Sequence, residues 1–429
     1  MGRIVQKYGG SSVADADSIL RVARRIAATK AAGHEVVIVI SAMGDTTDDL
    51  LDLAKRVSPH PEPRELDMLL TTGERQSAAL LAMALSDLGV PALSYTGSQA
   101  GVITTGTHGN ARIIDITPTR ILASLDEGNV VIVAGFQGIA QDTKDITTLG
   151  RGASDTTAVA LAAAVGARYC EIFTDVDGVF TADPRIVPSA HRIPAISYEE
   201  MLELAACGAK ILHLRCVEYA RAENVPIHVR SSFSERPGTW VTDQAIIEQR
   251  RAQEGPNMEQ AIISGIAHDA SEGKITVVGV PDRIGKAARL FHVVADAGIN
   301  IDMIVQNVSR IGEGRTDISF TLPHDFAPAA RAALEAVQEE VGFEGLDYDE
   351  DIAKVSVVGV GMRTHPGVTA RFFDALAQAQ INLDIISTSE IRISVVVAAA
   401  DVERAVQAAH TAFSLDVDDE AIVYAGTGR

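Results

Sequence analysis

Aromatic residues make up only 4% of this chain, with a single tryptophan, while apolar residues reach 47%. The interior must therefore be packed with Ala, Val, Ile and Leu, the composition of layered α/β proteins. Three cysteines, Cys170, Cys207 and Cys216, are too few and too widely spaced for a disulfide framework or a Cys-x-x-Cys metal site, which points to reduced, buried thiols and a cytoplasmic protein. Positive charge is also short: the formal net charge of -20 repels polyanions and argues against nucleic-acid or membrane-surface partners. No apolar stretch approaches the ~20 residues needed to span a bilayer, and no charged-then-apolar leader precedes the first strand-like run. Met1-Gly2 looks like a lipidation start, but Gln6 stands where Ser or Thr is required. No Gly-x-x-x-x-Gly-Lys-Ser/Thr sequence occurs, so the chain has no Walker A loop. Gly359-Val360-Gly361 lacks the third glycine of a dinucleotide fingerprint.

At 429 residues the chain has room for about three compact modules. Up to about residue 241, short β-branched runs (36–40, 130–133, 169–174, 226–230) alternate with helical patterns at 16–30, 65–87, 117–126, 155–165 and 198–222. That alternation predicts strand–helix units around a largely parallel sheet. Residues 242–257 are polar and end in Gly255-Pro256, which reads as a connector.

Beyond it the sequence repeats. Val277-Val278-Gly279-Val280 recurs 80 residues on as Val357-Val358-Gly359-Val360, and Ile299-Asn300-Ile301-Asp302-Met303-Ile304 recurs as Ile381-Asn382-Leu383-Asp384-Ile385-Ile386. Helices at 285–297 and 367–379 complete two ferredoxin-like βαββαβ units. The predicted boundaries are 1–245 for a three-layer α/β/α domain, 246–258 for a linker, and 259–347 and 348–429 for the repeats, with strand exchange between the repeats left open.

Five segments of the first domain carry chemistry. Lys7-Tyr8-Gly9-Gly10-Ser11-Ser12 follows the first strand; its glycines let backbone amides approach a phosphate and its lysine neutralises charge. Ser41-Ala42-Met43-Gly44-Asp45-Thr46-Thr47-Asp48 closes the second strand, where open α/β sheets bind ligands, although Thr47 or Asp48 also suits a helix cap. Thr71-Thr72-Gly73-Glu74-Arg75 places Glu74 on a helix as a partner for an ammonium or as a solvated carboxylate. Leu149-Gly150-Arg151-Gly152-Ala153-Ser154-Asp155-Thr156-Thr157 combines a turn, a guanidinium suited to a carboxylate and an acid opening a helix, although Asp155 also suits a helix N-cap. Thr174-Asp175-Val176-Asp177-Gly178-Val179-Phe180-Thr181-Ala182-Asp183-Pro184-Arg185, with Lys210 downstream on the predicted helix, suits a nucleotide with its Mg²⁺.

Together these segments, with Cys207-Gly208-Ala209-Lys210-Ile211-Leu212-His213, resemble the aspartate kinases of the amino-acid kinase family over essentially the whole chain, and the repeats resemble their ACT domains. The resemblance implies ATP-dependent phosphorylation of the side-chain carboxylate of L-aspartate to 4-phospho-L-aspartate, the first step toward lysine, threonine and methionine. By resemblance, Lys7 and Asp155 are catalytic. Lys7, Gly9, Gly10, Ser41, Thr174, Asp175, Phe180, Arg185 and Lys210 bind ATP, with Mg²⁺ carried by the nucleotide rather than by a protein site. Thr47, Glu74, Arg151 and Ser154 hold aspartate. Lysine, threonine or both are implied as effectors at Asp282, Gly285, Ala287, Gln306, Thr369, Asn382 and Glu390, in a homo-oligomer or a catalytic–regulatory subunit assembly formed through the ACT domains. Met258 is a candidate internal start for a separate regulatory subunit.

Two positions depart from the family pattern: Ala153 stands where glycine is usual, a cost of ~1 kcal/mol if the position needs positive φ, and Phe180 where tyrosine is common. Rival readings are another amino-acid kinase, acting on glutamate, N-acetylglutamate, carbamate or UMP, and a sensor whose kinase half is inactive.

Overall fold

The computed structural model describes residues 2–150, 152–254, 262–307, 314–363, 365–417 and 421–424. They form two compact units: residues up to 206, from 210 to the helix ending at 254, and from 417 onward make the first, and 207–209 with 262–416 the second. No helix among them is long and apolar enough to cross a membrane.

The first unit opens with β1 (Arg3–Tyr8), α1 (Ala16–Ala31), β2 (Glu35–Ile40), α2 (Thr46–Val57), α3 (Pro63–Leu70), α4 (Thr72–Asp87), β3 (Ala92–Tyr95), β4 (Val102–Thr104) and β5 (Ile113–Ile116). It continues through α5 (Thr119–Asp126), β6 (Val130–Ala134), β7 (Gln137–Ala140), β8 (Ile146–Thr148), α6 (Ala153–Ala164), β9 (Cys170–Thr174) and β10 (Ala195–Ser197). Then come α7 (Tyr198–Ala206), α8 (Leu214–Glu223), β11 (Ile227–Ser231), β12 (Thr239–Thr242) and α9 (Gln244–Glu254). The main sheet has eight strands in the order β10-β12-β11-β9-β1-β2-β6-β3, parallel except where β11 meets β12. A second sheet, β5-β4-β7-β8, is built from residues in which the sequence pattern showed no strand.

Strand alternation explains the layers. Ile4 and Tyr8 of β1 point into the core under α1 and α4, where Ile19, Val22, Ala23 and Ile26 of α1 follow helical spacing and meet Ile38, Ile40, Ile132 and Phe173. Asp15 caps α1, its Oδ1 accepting from the Ser18 N–H at 2.8 Å. Lys7 faces the opposite side of the sheet, toward α6, whose residues 153–162 are all buried. A helix apolar all round is one that is covered all round.

Three helical expectations change. The pattern at 65–87 is two helices joined at Thr71, the one at 198–222 is α7 and α8 separated by a turn at 207–213, and the supposed connector holds α9. In the turn Gly208 takes φ +104, which ends the helix that apolar Ile211 and Leu212 had appeared to continue.

The second unit contains β13 (Gly265–Asp269), β14 (Glu272–Pro281), α10 (Lys286–Asp296), β15 (Ile304–Asn307), β16 (Arg315–Pro323), α11 (Ala327–Glu335), α12 (Gln338–Val341) and β17 (Gly345–Asp349). It closes with β18 (Ile352–Val358), α13 (Val368–Gln378), β19 (Ile385–Thr388), β20 (Arg392–Ala398) and α14 (Val402–Ala412). The sheets run β15-β16-β14-β17 and β13-β18-β20-β19, both antiparallel, the ferredoxin-like arrangement. The second sheet takes its fourth strand, β13, from upstream of the first repeat.

The repeats hold each other through reciprocal ion pairs: Lys274 with Asp384, and Lys354 with Asp302. Each lysine belongs to the first strand of one repeat and each aspartate to the Ile-Asn-x-Asp motif of the other. Lys354 is the buried member, its side chain 2% exposed, and also reaches Glu272 Oε1 at 3.2 Å. Burial pushes the Lys354 ammonium pKa down, but Glu272 and Asp302 outweigh it and hold the value above lysine's ordinary one. A raised folded value means the stabilisation is complete below the unfolded pKa of about 10.4 and lost as pH rises through the folded one. Replacing Lys354 with methionine strands two carboxylates, so the second unit should lose about 3 kcal/mol. Lys274→Met, with Asp384 half exposed, should cost less than about 1 kcal/mol. Amide exchange of β14 and β18 in the two variants checks the asymmetry, and equal losses would refute it.

Candidate active site

Four adjacent parallel strands, β9, β1, β2 and β6, end along one edge of the main sheet. The carboxyl edge of such a sheet is where ligands bind, because loops and helix N-termini gather there. At the end of β1 the chain turns through Gly9 and Gly10 into a short 3-10 helix. A Cβ on Gly10 would lie 3.0 Å from the Gly44 carbonyl oxygen and 3.1 Å from that of Ala42, so glycine is what lets the first two strand-end loops touch. The Ser41 N–H donates to the Tyr8 carbonyl at 3.0 Å and the Gly44 N–H to the Gly10 carbonyl at 3.2 Å.

Lys7, one residue from the end of β1, extends to α6, where its Nζ lies 2.6 Å from Asp155 Oδ1. Both side chains are mostly buried, 13% and 9% exposed. The contact is an ion pair without a well-directed hydrogen bond, which leaves the ammonium able to turn onto a ligand oxygen. Gly152, with φ +74, sets the entry to α6. Ala153 is the first helical residue, so the positive φ feared for it falls on its neighbour and alanine carries no backbone cost. Ser154 is buried in the first turn of α6 and stands against the Gly135 turn that ends β6: a Cβ there would come within 2.9 Å of Ser154 Oγ.

Glu74 is the anomaly of the site. It sits in the first turn of α4, 3% exposed. Its Oε1 accepts from the Ala42 N–H at 3.3 Å, and its Oε2 is buried with no partner among the described residues. Burial pushes its pKa up to about 7, with the helix and Ala42 amides pulling the other way. A desolvated carboxylate beside a glycine turn is chemically suited to pairing with a cationic group. Thr47 lies half-buried in the first turn of α2, whose cap position is Asp45, so neither Thr47 nor Asp48 serves as the cap the sequence allowed.

At the end of β9, Thr174 Oγ1 donates to Asp175 Oδ1 at 3.0 Å, and Arg185 reaches Asp175 Oδ2 at 3.4 Å and Asp183 at 3.7 Å. Phe180 is half-buried in the same turn. Lys210 is exposed in the turn between α7 and α8, not on a helix. That turn borders the α6 entry, since a Cβ on Gly152 would meet the His213 ring at 2.8 Å. Arg151 lies outside the described residues.

The buried hydroxyls of Ser12 and Thr156 and His213 Nδ1 also lack partners among the described residues. None had been given a role from sequence, since an unpaired buried atom is visible only once neighbours are placed. Burial, against the pull of Asp155, keeps the His213 pKa below its ordinary value. Cys170 and Cys216 are fully buried and their thiols are pushed up by desolvation, which makes them packing residues. No group of three or more His, Cys, Asp or Glu able to hold a metal occurs among the described residues.

In the second unit Gly285 (φ 92) and Gly367 (φ 99) stand at equivalent positions before α10 and α13, and neither helix has a side-chain cap. Asp282 precedes α10, with its N–H donating to the Gly314 carbonyl at 2.8 Å. Ala287 and Thr369 lie in the first turns of these helices, Gln306 is exposed on β15, and Asn382 and Glu390 are exposed on either side of β19.

Residues 2–231 match the amino acid kinase family, and residues 275–338 and 355–413 match the ACT domain. The chain is 63% identical to the aspartokinase of Mycolicibacterium smegmatis over 429 residues, the whole of both. Among solved structures it resembles E. coli aspartokinase III in complex with aspartate and ADP (R-state), with TM-score 0.78 and 25% identity over 95% of this chain and 99% of that one. The same E. coli enzyme in complex with lysine and aspartate (T-state) gives TM-score 0.70 and 26% identity over 95% and 98%.

Proposed function

The chain belongs to the aspartokinases of the amino acid kinase family, and from that membership we propose that the edge between β9 and β6 carries phosphate from Mg-ATP to the side-chain carboxylate of L-aspartate as follows. The aspartate side chain is ionised at neutral pH, so no general base is needed. One of its oxygens attacks the γ-phosphorus in line, the bond to the β,γ-bridging oxygen breaks, and ADP leaves with that electron pair. What the protein must supply is relief of repulsion between two anions. Lys7 and the amides of Gly9 and Gly10 do this at the transferring group, with Asp155 holding the ammonium in place. Ser41, Thr174, Asp175, Phe180, Arg185 and Lys210 seat the nucleotide, and Mg²⁺ enters as part of that substrate. Glu74 takes the aspartate ammonium, Arg151 its α-carboxylate, and Thr47 and Ser154 add hydrogen bonds. The observation that carries this reading is the Lys7–Asp155 ion pair at 2.6 Å on the carboxyl edge of the sheet.

The test is ATP turnover with magnesium and a panel of acceptors, with hydroxylamine to trap the acyl phosphate. Trapped product with aspartate, and none with glutamate, is the expected result; turnover with neither sinks the assignment. Arg151→Ala should raise the aspartate KM by roughly 10²-fold, as loss of a bidentate charge contact does, while the ATP KM stays within about twofold. Steady-state kinetics in both substrates distinguishes this from a nucleotide contact.

Feedback control follows the same reading. The uncapped N-termini of α10 and α13 offer free amides to an amino-acid carboxylate, and Asp282, Gln306, Asn382 and Glu390 offer partners to its ammonium and side chain. Lysine, threonine or both bind there, across copies assembled through the ACT domains, and favour an inactive state by population shift. The lysine complex of the E. coli enzyme supports lysine as one effector. The product would supply lysine, threonine and methionine synthesis. Inhibition titrations with the two amino acids, singly and together, decide between them.

A further inference from the structure

In the first repeat the chain leaves its last helices and enters the sheet as β17, beside β14. In the second repeat the matching place beside β18 is occupied by β13, so the residues after α14 are not needed there. Val417 and residues 421–424 belong to the first unit instead. The Val417 N–H donates to the Ser189 carbonyl at 3.0 Å, and the Ala421 N–H to that of Pro188 at 2.9 Å. Val423 forms an antiparallel bridge with Val176. The Tyr424 N–H donates to the Asp175 carbonyl at 2.9 Å and its hydroxyl to Asp177 Oδ2 at 3.3 Å. The Tyr424 ring lies parallel to Phe233, with centroids 6.0 Å apart. These four backbone contacts fall on the segment from Asp175 to Ser189, the one that carries Asp175, Phe180 and Arg185.

We propose that residues 421–424 are part of the nucleotide site, with Tyr424 a positioning residue that holds the turn after β9 in its ATP-binding shape. This rests on the reading that the turn binds ATP. Asp177 is 2% exposed, and a buried carboxylate must collect donors or be destabilised. It accepts from Ser234 Oγ at 2.5 Å, from Arg236 at 3.4 Å and from the Tyr424 hydroxyl. The first two come from the loop after β11, so Tyr424 is the donor that ties this carboxylate to the far end of the chain. The strand-like bridge at Val176 adds a backbone clamp on the other side of the same turn.

Tyr424→Ala in the full-length protein should raise the ATP KM about 10-fold, the effect of losing a hydrogen bond to a charged group. The aspartate KM and kcat should stay within about twofold. Tyr424→Phe keeps the ring against Phe233 and loses only the hydroxyl, so it should show most of the same rise in ATP KM. It also keeps the test valid if the alanine variant folds poorly, because its rise in ATP KM must still appear without a rise in aspartate KM. Arg185→Ala is measured alongside. If it weakens ATP while both Tyr424 variants match the parent, the clamp is wrong and the nucleotide assignment stands. If Arg185→Ala leaves the ATP KM unchanged while aspartate-dependent turnover persists, the nucleotide assignment fails and the clamp falls with it.

Discussion

Lys7→Ala is expected to lower kcat by roughly 10³-fold or more, the range seen when a cation or donor aimed at a transferring group is removed. Lys7 is the mostly buried ammonium on β1, its Nζ 2.6 Å from Asp155, and the glycine amides beside it act in the same low-dielectric edge. Truncation leaves Asp155 with no cation and places a carboxylate where negative charge must accumulate, so repulsion is added to the loss of attraction. On the proposed reading Arg185 and Lys210 also hold ground-state ATP, so the ATP KM should move much less than kcat. Asp155→Asn should fall between the two, because the lysine keeps its charge and loses its orientation. Circular dichroism and the unfolding transition show whether the variant is folded. A folded Lys7→Ala protein that turns over at the parent rate would overturn the mechanism.

Much of this site could be read before any coordinates because it is made at strand ends. Gly9-Gly10 and Ser41 to Gly44 each follow a β-branched run, and parallel topology brings such ends to one edge whatever the detailed packing. The repeats were legible for the same reason: their turns, helices and Ile-Asn-x-Asp motifs recur in register. What could not be read depends on which distant segments meet. That β13 joins the sheet of the second repeat is invisible in a period-2 pattern, which states that a strand exists and not which edge it joins. Lys354 and Lys274 look alike in sequence, yet one is buried between two carboxylates and the other pairs with two half-exposed ones. The helix patterns at 65–87 and 198–222 ran on because Thr71 and Gly208 are weak breakers beside apolar neighbours. Tyr424 gave no signal at all, since its meaning comes from a sheet position already filled.

Glu74 carries the second large expectation, and its distinctive mark is that losing function should gain stability. With a pKa near 7, the carboxylate is mostly protonated at pH 6 in the free protein, whereas binding an ammonium requires the charged form. Aspartate binding at pH 6 should therefore release close to one proton, and the aspartate KM should climb up to about tenfold per pH unit below 7. Glu74→Gln preserves the shape and the bond from Ala42 but cannot pair with the ammonium, so the aspartate KM should rise roughly 10²-fold and lose this pH dependence. The stability argument runs in the opposite direction. A carboxyl whose folded pKa lies above its unfolded value of about 4.3 contributes stability fully below that value, and loses it as pH rises through 7. At pH 8 the parent thus holds a buried, unpaired anion that glutamine avoids, and Glu74→Gln should be more stable by up to about 3 kcal/mol, a gap that closes below pH 5. Saturating aspartate should shrink the difference by stabilising only the parent. Calorimetric proton counting and denaturant unfolding at pH 5 and pH 8 measure the two halves separately. A glutamine variant that is less stable at pH 8 and binds aspartate normally would show that Glu74 is a packing residue and that the ammonium is held elsewhere.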